Sequence, residues 1–181
     1  MIEIVDYRES WPDEYRAIAD RLRTLPGIVA VHHIGSTSVP GLCAKDIVDM
    51  QVTVTDLDAA PALEAAGLAR TPHESDHCPP GLRIEPPQLR KRMYKFSERP
   101  ANVHMREQGR FNQRYPLLCR DYLRSHKNAA NAYGEIKRQL AKRFAHDQDA
   151  YYDIKDPVFD VLMAGAEDWA AMTLWSLPPS D

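Results

Sequence analysis

The stretch from His33 to Val52, HIGSTSVPGLCAKDIVDMQV, constrains the fold of this chain more than any other. Apolar, β-branched segments flank it, Ile28 to Ile34 before and Ile47 to Val54 after, and a Gly, Ser, Thr and Pro segment lies between. This reads as strand, loop, strand. Small residues let a backbone approach an anion closely, and the hydroxyls of Ser36, Thr37 and Ser38 add donors beside backbone N–H groups. Lys45 brings a mobile positive charge ten residues after Gly35. Side-chain alternation places Asp49 and Gln51 on one face of the second strand and Val48, Met50 and Val52 on the other. A Gly-Ser-Thr-Ser turn by itself is usually only a turn; the company of Lys45 and Asp49 is what points to phosphate. A carboxylate at that place suits Mg²⁺, which takes one or two carboxylates together with substrate phosphates.

The rest of the chain supplies the frame. Ile2 to Val5 alternates weakly, as a short first strand would. Ser10, Pro12 and Asp13 then predict a helix start, with Trp11, Tyr15, Ile18, Leu22 and Leu25 on one face and Pro26-Gly27 as the stop. Asp58 to Ala66 predicts a short helix ending at Gly67. Pro72 to Pro87, with five prolines, predicts a surface loop of a length that borders a site. Arg92 to Ser97 and Ala101 to Arg106 alternate around Glu98-Arg99-Pro100 and predict a hairpin. From Pro116 the period becomes helical: Leu118 and Tyr122, then Tyr133, Ile136, Leu140 and Phe144 after an Asn128 cap. A last helix carries Val158, Leu162, Ala166, Trp169 and Thr173, with Pro157 either in its first turn or kinking a longer helix that begins near Ala150. No linker divides residues 1–181, so the expectation is one α+β domain, a mixed sheet over about 1–110 and a helical part over about 111–177.

Composition narrows the function classes. A net charge of −3, and no basic stripe with interleaved aromatics, argue against a nucleic-acid partner. Cys43, Cys78 and Cys119 are odd in number and widely spaced, which fits reduced thiols in the cytoplasm, and no apolar run reaches the roughly 20 residues of a membrane span. His33, beside His32 on an apolar strand, reads as a core histidine. His104 lies between Val103 and Met105 on a later strand, where a polar ring needs a partner or a job. His73, His77 and Cys78 do not have the spacing of a closed zinc site. Asp46 reads as a solvated charge at a strand entrance. Arg120, Asp121 and Arg124 form either an ordinary solvent face or, with Lys137 and Lys155, a clamp for a triphosphate.

These residues resemble the GrpB family, which belongs by fold to the nucleotidyltransferase superfamily. The resemblance runs through Tyr7 with Trp11-Pro12, the HIGSTSVPGLCAKDIVDMQV stretch, NVHMR around His104, CRDYLRSH, Tyr133 with Lys137, and Tyr151 with Lys155. It implies a nucleotidyltransferase-like mixed sheet flanked by helices, with a C-terminal helical segment. The superfamily pattern is a Gly-Ser turn, a strand with two carboxylates two residues apart, and a third carboxylate on a later strand, together holding two Mg²⁺ ions. Gly35 and Ser36 match the turn and Asp49 the first carboxylate. Gln51 stands in place of the second, and His104 lies on a strand comparable to that of the third. The resemblance thus implies Asp49 and His104 as catalytic residues, holding a single Mg²⁺ or none, and Gly35, Ser36, Thr37, Lys45, Arg120 and Arg124 around a phosphate-bearing ligand. The activity expected is binding of a nucleotide or another phosphate-bearing metabolite, with metal-assisted nucleotidyl transfer to a small acceptor. The alternative is a non-catalytic module that binds coenzyme A precursors or docks on dephospho-coenzyme A kinase, to which such domains are fused in some bacteria.

Overall fold

A computed structural model describes residues 1–181. Helix α1 spans Trp11–Arg23, with Pro12 in its first turn, Asp13 and Glu14 at its positive end and Arg21 and Arg23 at its negative end. The Ser10 hydroxyl makes no cap bond. Trp11, Tyr15, Ile18 and Leu22 form the buried face, as their spacing predicts.

Five strands follow: β1 Ile28–Ile34, β2 Val48–Val54, β3 Leu68–Arg70, β4 Arg92–Phe96 and β5 Ala101–Glu107. Their order in the sheet is β1-β2-β5-β4-β3, with β2 and β5 parallel and the other pairs antiparallel. The register sets Asp49 beside Asn102, Gln51 beside His104 and Thr53 beside Arg106, so these side chains share one face. The opposite face presents Val48, Met50, Val52, Val103, Met105, Tyr94 and Phe96 to α1 and forms the main core. One face of the sheet is therefore oil and the other polar.

Three helices close the polar face: α2 Phe111–Ser125, α3 Lys127–Arg143 and α4 Gln148–Thr173. A second core joins them through Leu118, Leu123, Tyr133, Met163 and Ala166. Helix α2 begins five residues before Pro116, which sits inside it. The α4 helix is the longer of the two expected forms: Asp147 caps it by accepting from the Ala150 N–H at 3.0 Å, and Pro157 lies within it. Beyond α4 the chain end runs back along the free edge of β1. The Val31 N–H donates to Ser180 Oγ at 3.0 Å and the His33 N–H to Asp181 Oδ2 at 2.8 Å.

Two local expectations fail. Ile2 to Val5 is not a strand: Val5 makes one bridge to Ala44, and Ile2 donates to the Ala145 carbonyl at 2.7 Å. Asp58 to Ala66 is not a helix beyond the 3₁₀ turn Leu63–Ala66. Pro61 cannot donate within a helix, and Asp56 draws the Asp58 N–H to its carboxylate at 2.8 Å. Strand β3, three residues long, is too short to show a period. No helix is long and apolar enough to cross a membrane.

Candidate functional site

A cavity of about 530 Å³ separates the polar sheet face from the helices, and Gly35, Ser36, Thr37, Lys45, Asp49, His104 and Arg120 all border it. Its floor is the turn after β1. Gly35 has φ +69°, and a Cβ there would stand 2.7 Å from Asp49 Oδ2. Only glycine lets the turn close over the carboxylate of the next strand. Ser38 ties the turn by donating to the Gly35 carbonyl at 2.6 Å. The Thr37 hydroxyl pairs with His33 Nε2 at 3.0 Å in the interior, so it serves the turn more than the cavity. His33 stacks on Tyr15, and burial holds its ring neutral down to about pH 3.

Lysines from three parts of the chain converge above this floor. Lys137 of α3 donates to Ser36 Oγ at 2.7 Å and to the Cys43 carbonyl, over the ring of Tyr133. Burial pulls its ammonium down to about 7. Lys45 donates to the Tyr152 hydroxyl, and Lys45 and Lys155 lie 4.6 and 5.2 Å from the Tyr152 ring centre. Lys155 also pairs with Asp156 at 2.7 Å. Asp49 accepts from Asn102 Nδ2 at 2.9 Å. Burial raises its carboxyl above the usual range, against the pull of Asn102, Lys45 and Lys155.

Farther along the same sheet face lies a buried ion-pair network. Gln51 donates to the Gln113 carbonyl at 2.9 Å and accepts from Arg106 Nη1 at 2.8 Å. Arg106 turns its other edge to Asp76, with Nε–Oδ2 at 2.8 Å and Nη2–Oδ1 at 3.0 Å. Lys91 reaches the same carboxylate at 2.6 Å and Asn112 at 3.0 Å. Burial opposes ionisation of Asp76, but Arg106 and Lys91 outweigh it and hold the carboxyl well below its usual range. His104 faces the cavity with its Nδ1 unpartnered. Burial, helped by Arg106 and Lys91, keeps the ring neutral.

The remaining expected residues separate. Arg120 is buried, and its guanidinium is taken up by the His33 carbonyl at 3.0 Å, Asp181 at 2.8 Å and Asp121 at 2.8 Å. Arg124 does not border the cavity; it braces the turn from behind by donating to the Ser38 carbonyl at 3.0 Å. Asp46 remains half-exposed but is paired: it receives Arg8, Arg99 and the Trp11 indole N–H, the last at 2.8 Å. His77 pairs with Asp160 at 3.2 Å, and no three His, Cys, Asp or Glu side chains meet in a way that would hold a metal ion. Asn102 and Arg106 flank His104 at two-residue spacing, so alternation alone places them on its face. Asp76 and Lys91 lie in and after the proline loop, where no period marks them.

The donor set does not fit a two-metal Mg²⁺ centre. Asp49 is the one carboxylate on β2, Gln51 replaces the second, and the guanidinium of Arg106 stands against Gln51 where a metal would need oxygen ligands. His104 offers nitrogen, which Mg²⁺ disfavours. Positive charge enters this cavity on lysine and arginine side chains.

A mixed sheet with a Gly-Ser turn closed over the carboxylate of the next strand defines a nucleotidyltransferase-like α+β domain. Within that class the chain belongs to the GrpB family, whose model, described as GrpB protein, matches residues 1–164. It is 34% identical over 195 residues to a Mycolicibacterium paratuberculosis protein named dephospho-CoA kinase, covering 96% of this chain and 48% of that one. It is 33% identical over 172 residues to UPF0157 protein BH1888 of Halalkalibacterium halodurans, covering 91% and 82%. The crystal structure of conserved protein GrpB from Enterococcus faecalis superimposes with a TM-score of 0.71 at 26% identity, over 92% of this chain and 99% of that one. The chain thus spans about half the length of the mycobacterial relative.

Proposed function

We propose that the cavity binds a phosphate-bearing small molecule of the nucleotide type. The observation that carries this reading is that Lys45 and Lys137 meet hydroxyl and carbonyl oxygens, with no carboxylate bonded to either, beside the Gly35–Ser36 turn. Lys137 is buried and Lys45 half-buried, and an anionic ligand between them would supply the counter-ion that neither has. Lys155, paired with Asp156, also lies near the Tyr152 ring. The wall beyond is aromatic, with Phe111, Tyr115 and Phe159 bordering the space and Tyr115 and Phe159 5.5 Å apart between ring centres. Such a surface suits a base or another flat apolar group. Neutral His104 borders the same space and makes a weak base.

A nucleotidyl group carried into this site would have its charge balanced by Lys45, and in part by Lys155, which Asp156 shares. The relative named dephospho-CoA kinase, about twice as long as this chain, favours a second, narrower reading: a module serving coenzyme A metabolism, whose ligands combine an adenine nucleotide with a long amide-bearing arm. Thermal-shift titration with ADP, ATP, dephospho-coenzyme A and pyrophosphate tests both. The first reading predicts stabilisation by several of these, with affinity lowered about tenfold by Lys45→Met or Lys155→Met, the loss of one charged hydrogen bond or ion contact. The narrower one predicts a marked preference for dephospho-coenzyme A. No stabilisation by any of the four contradicts both.

A further inference from the structure

Ser36 enters the cavity from the turn after β1, Lys137 from the middle of α3, and the two meet at 2.7 Å between Oγ and Nζ. Lys137 is 2% exposed and its other hydrogen bond goes to the Cys43 carbonyl, so nothing anionic is bonded to it. A buried amine without a counter-ion gives up its proton readily. A neutral amine within hydrogen-bond reach of a serine hydroxyl is the arrangement by which a base activates an alcohol nucleophile.

We propose that Ser36 and Lys137 are a nucleophile and its base, and that Ser36 accepts a phosphoryl-type group from a phosphoanhydride bound in the cavity. The proposal rests on the reading of the cavity as a phosphate site. In the first step Ser36 Oγ attacks phosphorus. The Oγ–P bond forms as the bond from that phosphorus to the bridging oxygen breaks, and the hydroxyl proton passes to Lys137 Nζ. The departing phosphate or pyrophosphate takes the electron pair of the broken bond and then the proton from Lys137. In the second step water or a small alcohol attacks the same phosphorus, its proton passes to Lys137, and Ser36 leaves and recovers a proton from Lys137. Protons and electron pairs balance, and no further reactant is needed.

A purely structural tie between α3 and the turn would hold as well with a permanently charged amine, so the two roles separate on the charge state of Lys137. The ionisable groups that bear on it are Cys43 in the loop, Asp49 on β2, Lys155 on α4 and Arg138 on its own helix, and burial outweighs them all, leaving the amine half-protonated near pH 7.

A fluorophosphonate probe, a phosphorus electrophile with a fluoride leaving group, tests the pair on the intact protein. Peptide mass spectrometry is expected to place the adduct on Ser36, with a rate that rises through a midpoint near pH 7 and no adduct at this site in Ser36→Ala. Lys137→Arg keeps the charge but holds its proton, and is expected to label about a hundredfold more slowly. No adduct on Ser36, a rate flat through neutral pH, or wild-type labelling in Lys137→Arg overturns the proposal. If Lys137→Arg does not fold, the wild-type pH profile and Ser36→Ala decide. Pyrophosphate calorimetry on the wild type separates the layers. Binding without labelling overturns the pair and leaves the phosphate reading standing, whereas labelling without binding supports the pair and contradicts that reading.

Discussion

Arg106 Nη1 lies 2.8 Å from Gln51 Oε1, at the strand position where the superfamily pattern has its second metal-binding carboxylate. The glutamine is thus matched to a resident cation. It also donates to the Gln113 carbonyl, which fixes the start of α2 against the sheet. Gln51→Ala leaves an Arg106 N–H unpaired and removes the tie to the Gln113 carbonyl, and is expected to lower stability by about 1–3 kcal/mol in urea unfolding. Gln51→Glu brings back the carboxylate but is expected to pair with Arg106 and gain no Mg²⁺ affinity. Calorimetry showing Mg²⁺ bound to Gln51→Glu and not to the wild type would mean that Arg106 does not hold that place.

Asp76 secures the proline loop to the sheet through Arg106 and Lys91. Asp76→Ala strands both cations and should cost about 3–5 kcal/mol, the usual penalty for breaking a buried pair. The pH dependence has a definite sign. The folded carboxyl is held below its unfolded value of about 3.9, so its contribution is complete above that pH and declines as pH falls below it. His33, held neutral down to about pH 3, adds an earlier limb together with His32 and His104, which burial also keeps neutral: each must charge on unfolding below its ordinary value of about 6.5, so stability falls from there downward. Asp76→Asn should reduce the lower limb, to which Asp46 and Glu107 also contribute, and leave the upper one. Denaturation midpoints between pH 7 and 3 would show this, and an unchanged acid profile would contradict the role given to Asp76.

Gly35→Ala tests the closure of the turn. The added methyl meets Asp49 Oδ2 at 2.7 Å in a backbone conformation that L-residues rarely adopt. A loss of about 1–3 kcal/mol is expected, with weaker phosphate-ligand binding, because the turn must lift from the carboxylate. A variant equal to wild type in both respects would show that the turn does not depend on that contact.

Deleting Leu177 to Asp181 uncovers the outer edge of β1, which the tail now satisfies through Ser180 and Asp181, and frees one side of Arg120. The shortened chain should be less stable and more prone to associate, as exposed strand edges are. Light scattering at increasing concentration measures this, and an unaltered monomer–oligomer balance would be the contrary result.

Legibility in the sequence followed periodicity and chemistry. Helix α1, β1, β2 and the β4–β5 hairpin could be read because each buries one face, and burial imposes a period of 3.6 or 2. The Ile2 to Val5 and Asp58 to Ala66 assignments failed where backbone groups found single partners, such as the Ala44 bridge and the Asp56 side chain, instead of a repeating ladder. In the site, Gly35, Ser36, Lys45, Asp49 and His104 lie on one cavity because a turn and strand alternation place them there. Arg124 left no trace of its outward position, since one turn of helix decides between cavity and surface. Asp76 was invisible because its role comes from a loop folding back over about thirty residues to Arg106, a pairing that leaves no local pattern.

Whether lysines and not a metal pair create the phosphate site is decided by calorimetric titration of pyrophosphate in the presence of EDTA, wild type against Lys45→Met. Saturable binding to the wild type without metal is expected, with binding to the variant at least about tenfold weaker through the loss of one charge-assisted contact. Binding that appears only when Mg²⁺ is supplied, or that is equal in the two proteins, would contradict it.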